Sequence, residues 1–316
     1  MIKLKKLLTI LTSAALILSL TACTKAEENK TAEKQNLTFG MMGSIDSVPY
    51  VIAKEKGFFE KAGVDVDIET FKNSKDRDAA FQSGSLDGVI CDEVAISLYQ
   101  NADFDVKITG ITDGDFMLIA GAKSEINSLN DLKDKSVAIS EKTSIEYTLD
   151  KILEKNSLNP KDVEKSVVPA IPTRLEMLNN GNVDAALLPE PFSSMAISSG
   201  GTLLGSASNL ASYPSVSAFT QKSINDKADE VKAFYKAYNE AVDYINSTSI
   251  SEYEDLIIKT VGYPDDMKGK IKLPAFRKNT LPKDEEIQEA IDWCIDNKLI
   301  TKTLTPNDVV NDIGVK

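Results

Sequence analysis

The sequence predicts an α/β fold, and two observations lead there. From residue 37 onward short apolar runs of strand length alternate with segments of helical periodicity, the signature of βα units and a largely parallel sheet. The alternation also comes in two successive sets, so the chain reads as two βα half-structures followed by a mostly helical tail.

In the first set, strands are expected at 37–42, 64–71, 88–91, 106–111 and 116–120, with helices at 48–56, 75–83 and 94–100 between them. The second set has strands at 136–140, 166–168 and 185–188, separated by helices at 144–155 and 174–180. Beyond a run at 217–220, Val231, Phe234, Tyr235, Tyr238, Val242 and Ile245 form one apolar stripe at spacings of three and four. Such a helix is expected to pack back on the first half. The folded part then divides into a discontinuous first lobe, 37–121 with 217–316, and a second lobe, 122–216, with crossings near 120–124 and 213–217.

Ahead of the fold, Lys3, Lys5 and Lys6 precede an uncharged, mostly apolar run at 7–20 and the small residues Thr21 and Ala22. This is the three-part layout of a secretion signal. The run falls short of the roughly 18 residues that span a bilayer, so residues 1–22 are expected to be removed. Leu20-Thr21-Ala22-Cys23 resembles the bacterial lipobox, which implies lipidation of Cys23. Acyl chains gain about 0.8 kcal/mol per buried methylene, enough to hold the protein on the extracytoplasmic face of the cell membrane. Residues 23–36 are polar and charged with no large apolar side chain, and are expected to form a flexible tether.

The chain carries 36 basic and 48 acidic residues, a formal net charge of −12. Loss of the three lysines of the signal makes it more acidic still. Such a surface repels phosphate backbones, and no nucleic-acid partner is expected. There is no histidine. That removes the usual general base, the Ser-His-Asp and Cys-His arrangements, and the commonest transition-metal ligand. The chain is expected not to be an enzyme and to hold no cofactor or metal. Asp46, Asp92, Glu93, Asp113, Asp115 and Glu190 offer oxygens to a hard cation such as calcium, but no compact twelve-residue calcium loop is present. Cys294 shares a helical stripe with Ile287, Ile291 and Ile295 and reads as core, Cys91 closes a buried strand, and no disulfide between them is expected.

Several segments together carry a family resemblance: SVPYVIAKEKGFF at 47–59, GVDV at 63–66, SGSLDG at 83–88, LNDLKDKSVAIS at 129–140, IPTRLEML at 171–178 and GNVDAALLPEPF at 181–192. In order and spacing they resemble the type II periplasmic-binding-protein fold. Within it they resemble the branch that binds aliphatic sulfonates, nitrate, taurine and pyrimidine precursors of thiamine. The resemblance implies two lobes, each a sheet flanked by helices, a hinge of two crossing segments, and a solute enclosed between the lobes. It also implies an ABC permease and ATPase as partners, with the binding protein acting as a monomer.

In an open α/β sheet, ligands bind beyond the carboxyl ends of the strands. That rule selects five loops, 43–50, 91–94, 112–115, 140–144 and 189–192. The first offers Ser44, Asp46 and Tyr50, with Ser47 a helix cap and Tyr50 open to a core reading. Asp92 and Glu93 open a helix, where one carboxylate serves the helix dipole and the other is free for a ligand. Asp113 lies in the third loop. Thr143-Ser144-Ile145-Glu146 fits a capping box, and the same helix start could cradle an anion. Thr173-Arg174-Leu175-Glu176 fits a second box, with Arg174 either solvent-exposed or a cationic fork in the cleft. In LPEPF at 188–192 two prolines stiffen the backbone behind Glu190, which can accept hydrogen bonds from an amine or aminopyrimidine while Phe192 covers a ring.

The expected function is solute capture for an ABC importer. A thiamine pyrimidine precursor is favoured over a sulfonate or similar anion, and a sensory lipoprotein or an enzyme on the same fold stands as the alternative.

Overall fold

The computed structural model describes residues 36–210 and 213–316. The expected signal, the lipidation site Cys23 and the tether up to residue 35 lie outside the described residues.

The first sheet has the order β2-β1-β3-β10-β4 and the second β7-β6-β8-β5-β9. In the first, β1 (Asn36–Met42) runs parallel to β2 (Asp65–Phe71) and β3 (Gly88–Asp92), while β10 (Ser215–Thr220) enters antiparallel between β3 and β4 (Val106–Ile111). The second repeats the scheme. There β6 (Ser136–Ile139) is parallel to β7 (Glu164–Val167) and β8 (Ala185–Pro189), and β5 (Phe116–Ala120) is antiparallel to β8 and β9 (Thr202–Ser206). Helices cover the sheets on both faces, so β3 and β8 are buried at every position. That is why these strands read as continuous apolar runs and not as alternating ones.

One expectation moves. Residues 116–120 form a strand, but its hydrogen-bonded neighbours are β8 and β9, so it belongs to the second sheet. The first crossing therefore falls at 112–115, ahead of β5, and the second at 207–214, ahead of β10. A short apolar run announces a strand; which sheet it joins depends on pairings 65 to 89 residues away.

Between β1 and β2 lie α1 (Val48–Glu55) and α2 (Phe58–Ala62), with Gly57 (φ +71°) and Gly63 (φ +93°) turning the chain at either end of α2 in the left-handed region that side chains disfavour. Next come α3 (Ser74–Gln82) before β3 and α4 (Glu93–Asn101) after it. In the second half, α5 (Ser144–Lys155) follows β6, α6 (Ile171–Asn180) precedes β8, and α7 (Phe192–Ser198) follows it. The tail supplies α8 (Gln221–Asp226), α9 (Ala228–Ser247), α10 (Glu254–Ile257), a π-turn at Ile258–Gly262, α11 (Asp284–Asp296) and α12 (Pro306–Val309).

The stripe of α9 is buried as its spacing predicts and packs on α1, α2 and β1. Tyr50 belongs to this core. Its ring lies 5.2 Å from Phe39, 5.5 Å from Phe234 and 4.8 Å from Tyr238, so the structure places this residue in the core. On α11, Ile287, Ile291 and Cys294 enter a second core cluster while Ile295 is exposed. Cys91 and Cys294 are both free thiols in that cluster.

Two helix starts differ in detail. Thr143 caps α5 by accepting from the Ile145 amide at 3.2 Å, but Glu146 reaches back to the Lys142 amide at 2.7 Å, one residue before the cap. α6 begins at Ile171 with Pro172 in its first turn, so Thr173 lies inside the helix and caps nothing. Proline's fixed φ suits that turn and outweighs the Thr-x-x-Glu pattern behind it.

Candidate functional site

A cavity lies between the two sheets. Its walls come from the end of β1 (Met42, Ser44, Asp46), the end of β3 (Ile90, Cys91, Asp92), the start of α3 (Ser74, Arg77), Phe116 on β5, the β6–α5 turn (Ser140, Thr143, Ser144, Ile145), the start of α6 (Pro169, Ile171, Arg174), Pro189, and Tyr213 with Ser215. The strand-end rule therefore finds the cleft. Of the expected contacts, Ser44, Asp46, Asp92, Thr143, Ser144 and Arg174 line it.

Five others do not. Tyr50 is in the core. Glu93 faces a separate space described below. Asp113 is clamped to Arg277, accepting from its amide and its Nε, both at 2.7 Å. Glu190 accepts from Ser194 Oγ at 2.8 Å and from the Tyr263 hydroxyl, so its stiff loop points it toward the tail of the chain. Phe192 packs, half-buried, on the core behind the second sheet.

Asp46 and Asp92 enter the cleft with their hydrogen bonds committed. Hydroxyls of Ser44, Thr112 (3.3 Å), Tyr213 (3.3 Å) and Ser215 (3.0 Å) all donate to Asp46. Thr112 sits in the first crossing and Tyr213 in the second, so this carboxylate ties both crossings to the β1 loop. Burial pushes its pKa up, and the hydroxyls pull against that shift. Asp92 caps α4 through the Ala95 amide at 2.8 Å and accepts from Ser144 on the opposite half. Burial raises it too, opposed chiefly by the charge of Arg77.

The two arginines differ. Arg77, absent from the sequence-based candidates, is 1% exposed. Its Nη1 donates to the Ile90 carbonyl at 2.8 Å and its Nε to Asp78 at 2.8 Å, while Nη2 lies 2.7 Å from Asp78 without an aligned hydrogen bond. Arg174, also 1% exposed, donates only to backbone carbonyls, those of Val168 (3.1 and 3.0 Å), Leu187 (2.8 Å) and Pro169 (3.5 Å). No carboxylate among the described residues pairs with it. Burial pulls its pKa down to about 10, still cationic at neutral pH. Isolated buried charge is costly, and an anion beside Arg174 would offset that cost.

The backbone supports the same sign of charge. Ser74, Ser144 with Ile145, and Ile171 belong to the first residues of α3, α5 and α6, three helix starts where the helix dipole favours anions. Met42, Ile90, Phe116, Ile145, Pro169 and Ile171 add apolar surface to the same cavity. Burial drives the Cys91 thiol strongly up, so it is a neutral part of the wall and no thiolate nucleophile.

Among solved structures the chain is similar to the periplasmic aliphatic sulphonate binding protein SsuA from Escherichia coli, at 20% identity and TM-score 0.73, covering 87% of this chain and 92% of that one. The periplasmic nitrate-binding protein NrtA from Synechocystis PCC 6803 matches at 15% identity and TM-score 0.73, over 90% and 88%. The desulfurization enzyme DSZB matches at 14% identity and TM-score 0.62, over 89% and 98%. These likenesses establish the periplasmic-binding-protein fold, which carries both receptors and an enzyme. No curated protein sequence matches the chain. Residues 30–258 match the model of the NMT1-like family, and the chain belongs to that family.

Proposed function

We propose that the chain is an extracytoplasmic solute-binding lipoprotein of an ABC importer, anchored through Cys23, acting as a monomer, and that its solute is a small organic sulfonate. The observation that carries this reading is Arg174, a buried guanidinium with no carboxylate partner in a cleft fed by three helix starts. The apolar wall favours a sulfonate bearing an alkyl group over a bare inorganic anion. A thiamine pyrimidine precursor is disfavoured, because the carboxylate chosen to hold it, Glu190, is engaged by Ser194 and Tyr263 outside the cleft. The fold's likeness to sulfonate- and nitrate-binding proteins fits the same class.

The mechanism is capture by closure. A solute touching both halves binds the closed form better than the open one, and that difference in affinity shifts the equilibrium. Delivery to a permease then reads out the closed form, and no bond is broken.

The test is a thermal-shift and calorimetric titration of residues 24–316 with butanesulfonate, ethanesulfonate, nitrate and an aminopyrimidine. At about 100 times the dissociation constant a ligand adds roughly 2.7 kcal/mol of stability. Sulfonates should stabilise the protein and Arg174→Met should abolish the effect. Stabilisation by the aminopyrimidine alone would replace this reading with the heterocycle.

A further inference from the structure

A second cavity shares Tyr213 and Ser215 as a common wall with the cleft. Four charged side chains line it. Arg277 is paired with Asp113 at 2.7 Å. Glu286 accepts from the Lys283 amide at 3.0 Å, and the Lys283 Nζ lies 3.9 Å from the same carboxylate. Glu93 remains. It is 3% exposed, and its Oε2 is buried with no hydrogen-bond partner. It is thus the one charged lining group without a partner among the described residues.

We propose that this cavity is a second binding site, for a small organic ammonium ion whose N–H groups donate to the Glu93 carboxylate. The surroundings select a cation with donors. Asp92 beside it on the start of α4, and Glu286 and Glu289 on α11, face Glu93 with negative charge. The hydroxyl of Tyr147 on α5 is already bonded to Glu289. The positive groups nearby are committed: Lys283 to Glu286, Arg277 to Asp113, and Lys151 to Glu289 at 3.1 Å. Burial, with these acids adding to it, lifts the Glu93 pKa to about 8. At neutral pH the empty site therefore holds a carboxylic acid, and an ammonium ion entering it displaces that proton to solvent.

The experiment titrates the chain at pH 7 with methylammonium chloride, using tetramethylammonium chloride, which has no N–H, as the control for charge and ionic strength. Saturable binding of methylammonium is expected, with close to one proton released per site, measured from the dependence of the heat on the buffer's ionisation enthalpy. Glu93→Gln should remove both the binding and the proton release while leaving the melting transition cooperative. The proposal is overturned if methylammonium at about 10 mM, the range of weak binding, gives no heat beyond the control. It is equally overturned if binding occurs without proton release, or if Glu93→Gln binds as wild type. Loss of sulfonate binding in the cleft would leave these results untouched, since they are read without sulfonate.

Discussion

Trp293 donates its indole N–H to Asp150 at 3.1 Å, joining α11 on the first half to α5 on the second. The Tyr147 ring meets Trp293 edge-on at 5.7 Å, and Lys151 pairs with Glu289 across the same seam. Neither Trp293 nor Asp150 lines the cleft. In the proposed capture by closure these two helices part as the cleft opens, so the contact would favour the closed form independently of the solute.

Trp293→Phe removes a hydrogen bond to a carboxylate, a class worth about 1.5–3 kcal/mol. Solute affinity should fall about tenfold, corresponding to 1.4 kcal/mol of closed-state stabilisation. Small-angle scattering of the solute-free protein should show a larger radius of gyration than wild type. Unchanged affinity and scattering together would show that the seam plays no part in closure.

The apolar wall of the cleft predicts a dependence on chain length. Each methylene added to an alkanesulfonate should gain about 0.8 kcal/mol, roughly fourfold in affinity, until the cavity is filled. Calorimetry on a methane-to-hexane series reads this directly, and a flat series would mean that the tail does not touch the wall.

Asp46→Asn places an amide NH₂ among hydroxyls arranged to donate. An unsatisfied buried group of this kind costs about 1–3 kcal/mol, read as a lower midpoint in urea at unchanged slope. Because the same carboxylate ties both crossings, solute affinity should weaken along with stability. Full affinity in a destabilised variant would separate the two roles.

Glu93 makes stability depend on pH with a defined sign. Its folded pKa of about 8 lies above its ordinary 4.5, so between those values the folded state holds more protons than the unfolded one. Stability contributed by this group is therefore lost as pH rises from 4.5 to 8, with a slope of up to about 1.4 kcal/mol per unit. Asp46, Asp92 and Asp150, also raised by burial, act in the same direction. Denaturation at a series of pH values should show Glu93→Gln flatter than wild type near neutrality. Equal slopes would mean that Glu93 titrates normally.

Glu190→Gln should leave solute affinity within about threefold of wild type, and lower Tm by about 2–4 °C, the scale of a 1 kcal/mol loss in a protein of this size. A large loss of affinity would return Glu190 to the binding residues.

The class of fold was legible because both faces of each sheet are covered, which writes β3 and β8 as unbroken apolar runs. The cleft was legible because strand ends and helix starts follow from chain order alone. Side-chain destinations were not. Glu190 sits in the stiff loop its prolines predict, yet its partner Tyr263 comes from a π-turn region far along the chain. Arg77 lies on a helix of polar composition that reads as surface, and nothing local reports that its side chain runs inward to the Ile90 carbonyl. Arg174 stands out in the sequence beside its Thr-x-x-Glu pattern, but its isolation from carboxylates is a property of the assembled neighbourhood. The sheet membership of β5 was hidden for the same reason.

The position of β10 bears on the order in which the molecule can be finished. All five strands of the second sheet lie within 116–206, one uninterrupted stretch, whereas the first sheet needs residues 215–220 to bridge β3 and β4. During synthesis the N-terminal strands are made first and completed last. A chain halted between residues 206 and 215 would carry one finished sheet beside another whose β4 has no strand partner and whose β3 has an open edge. Such edges pair readily with other chains. Truncations just before residue 215 are therefore the ones expected to aggregate.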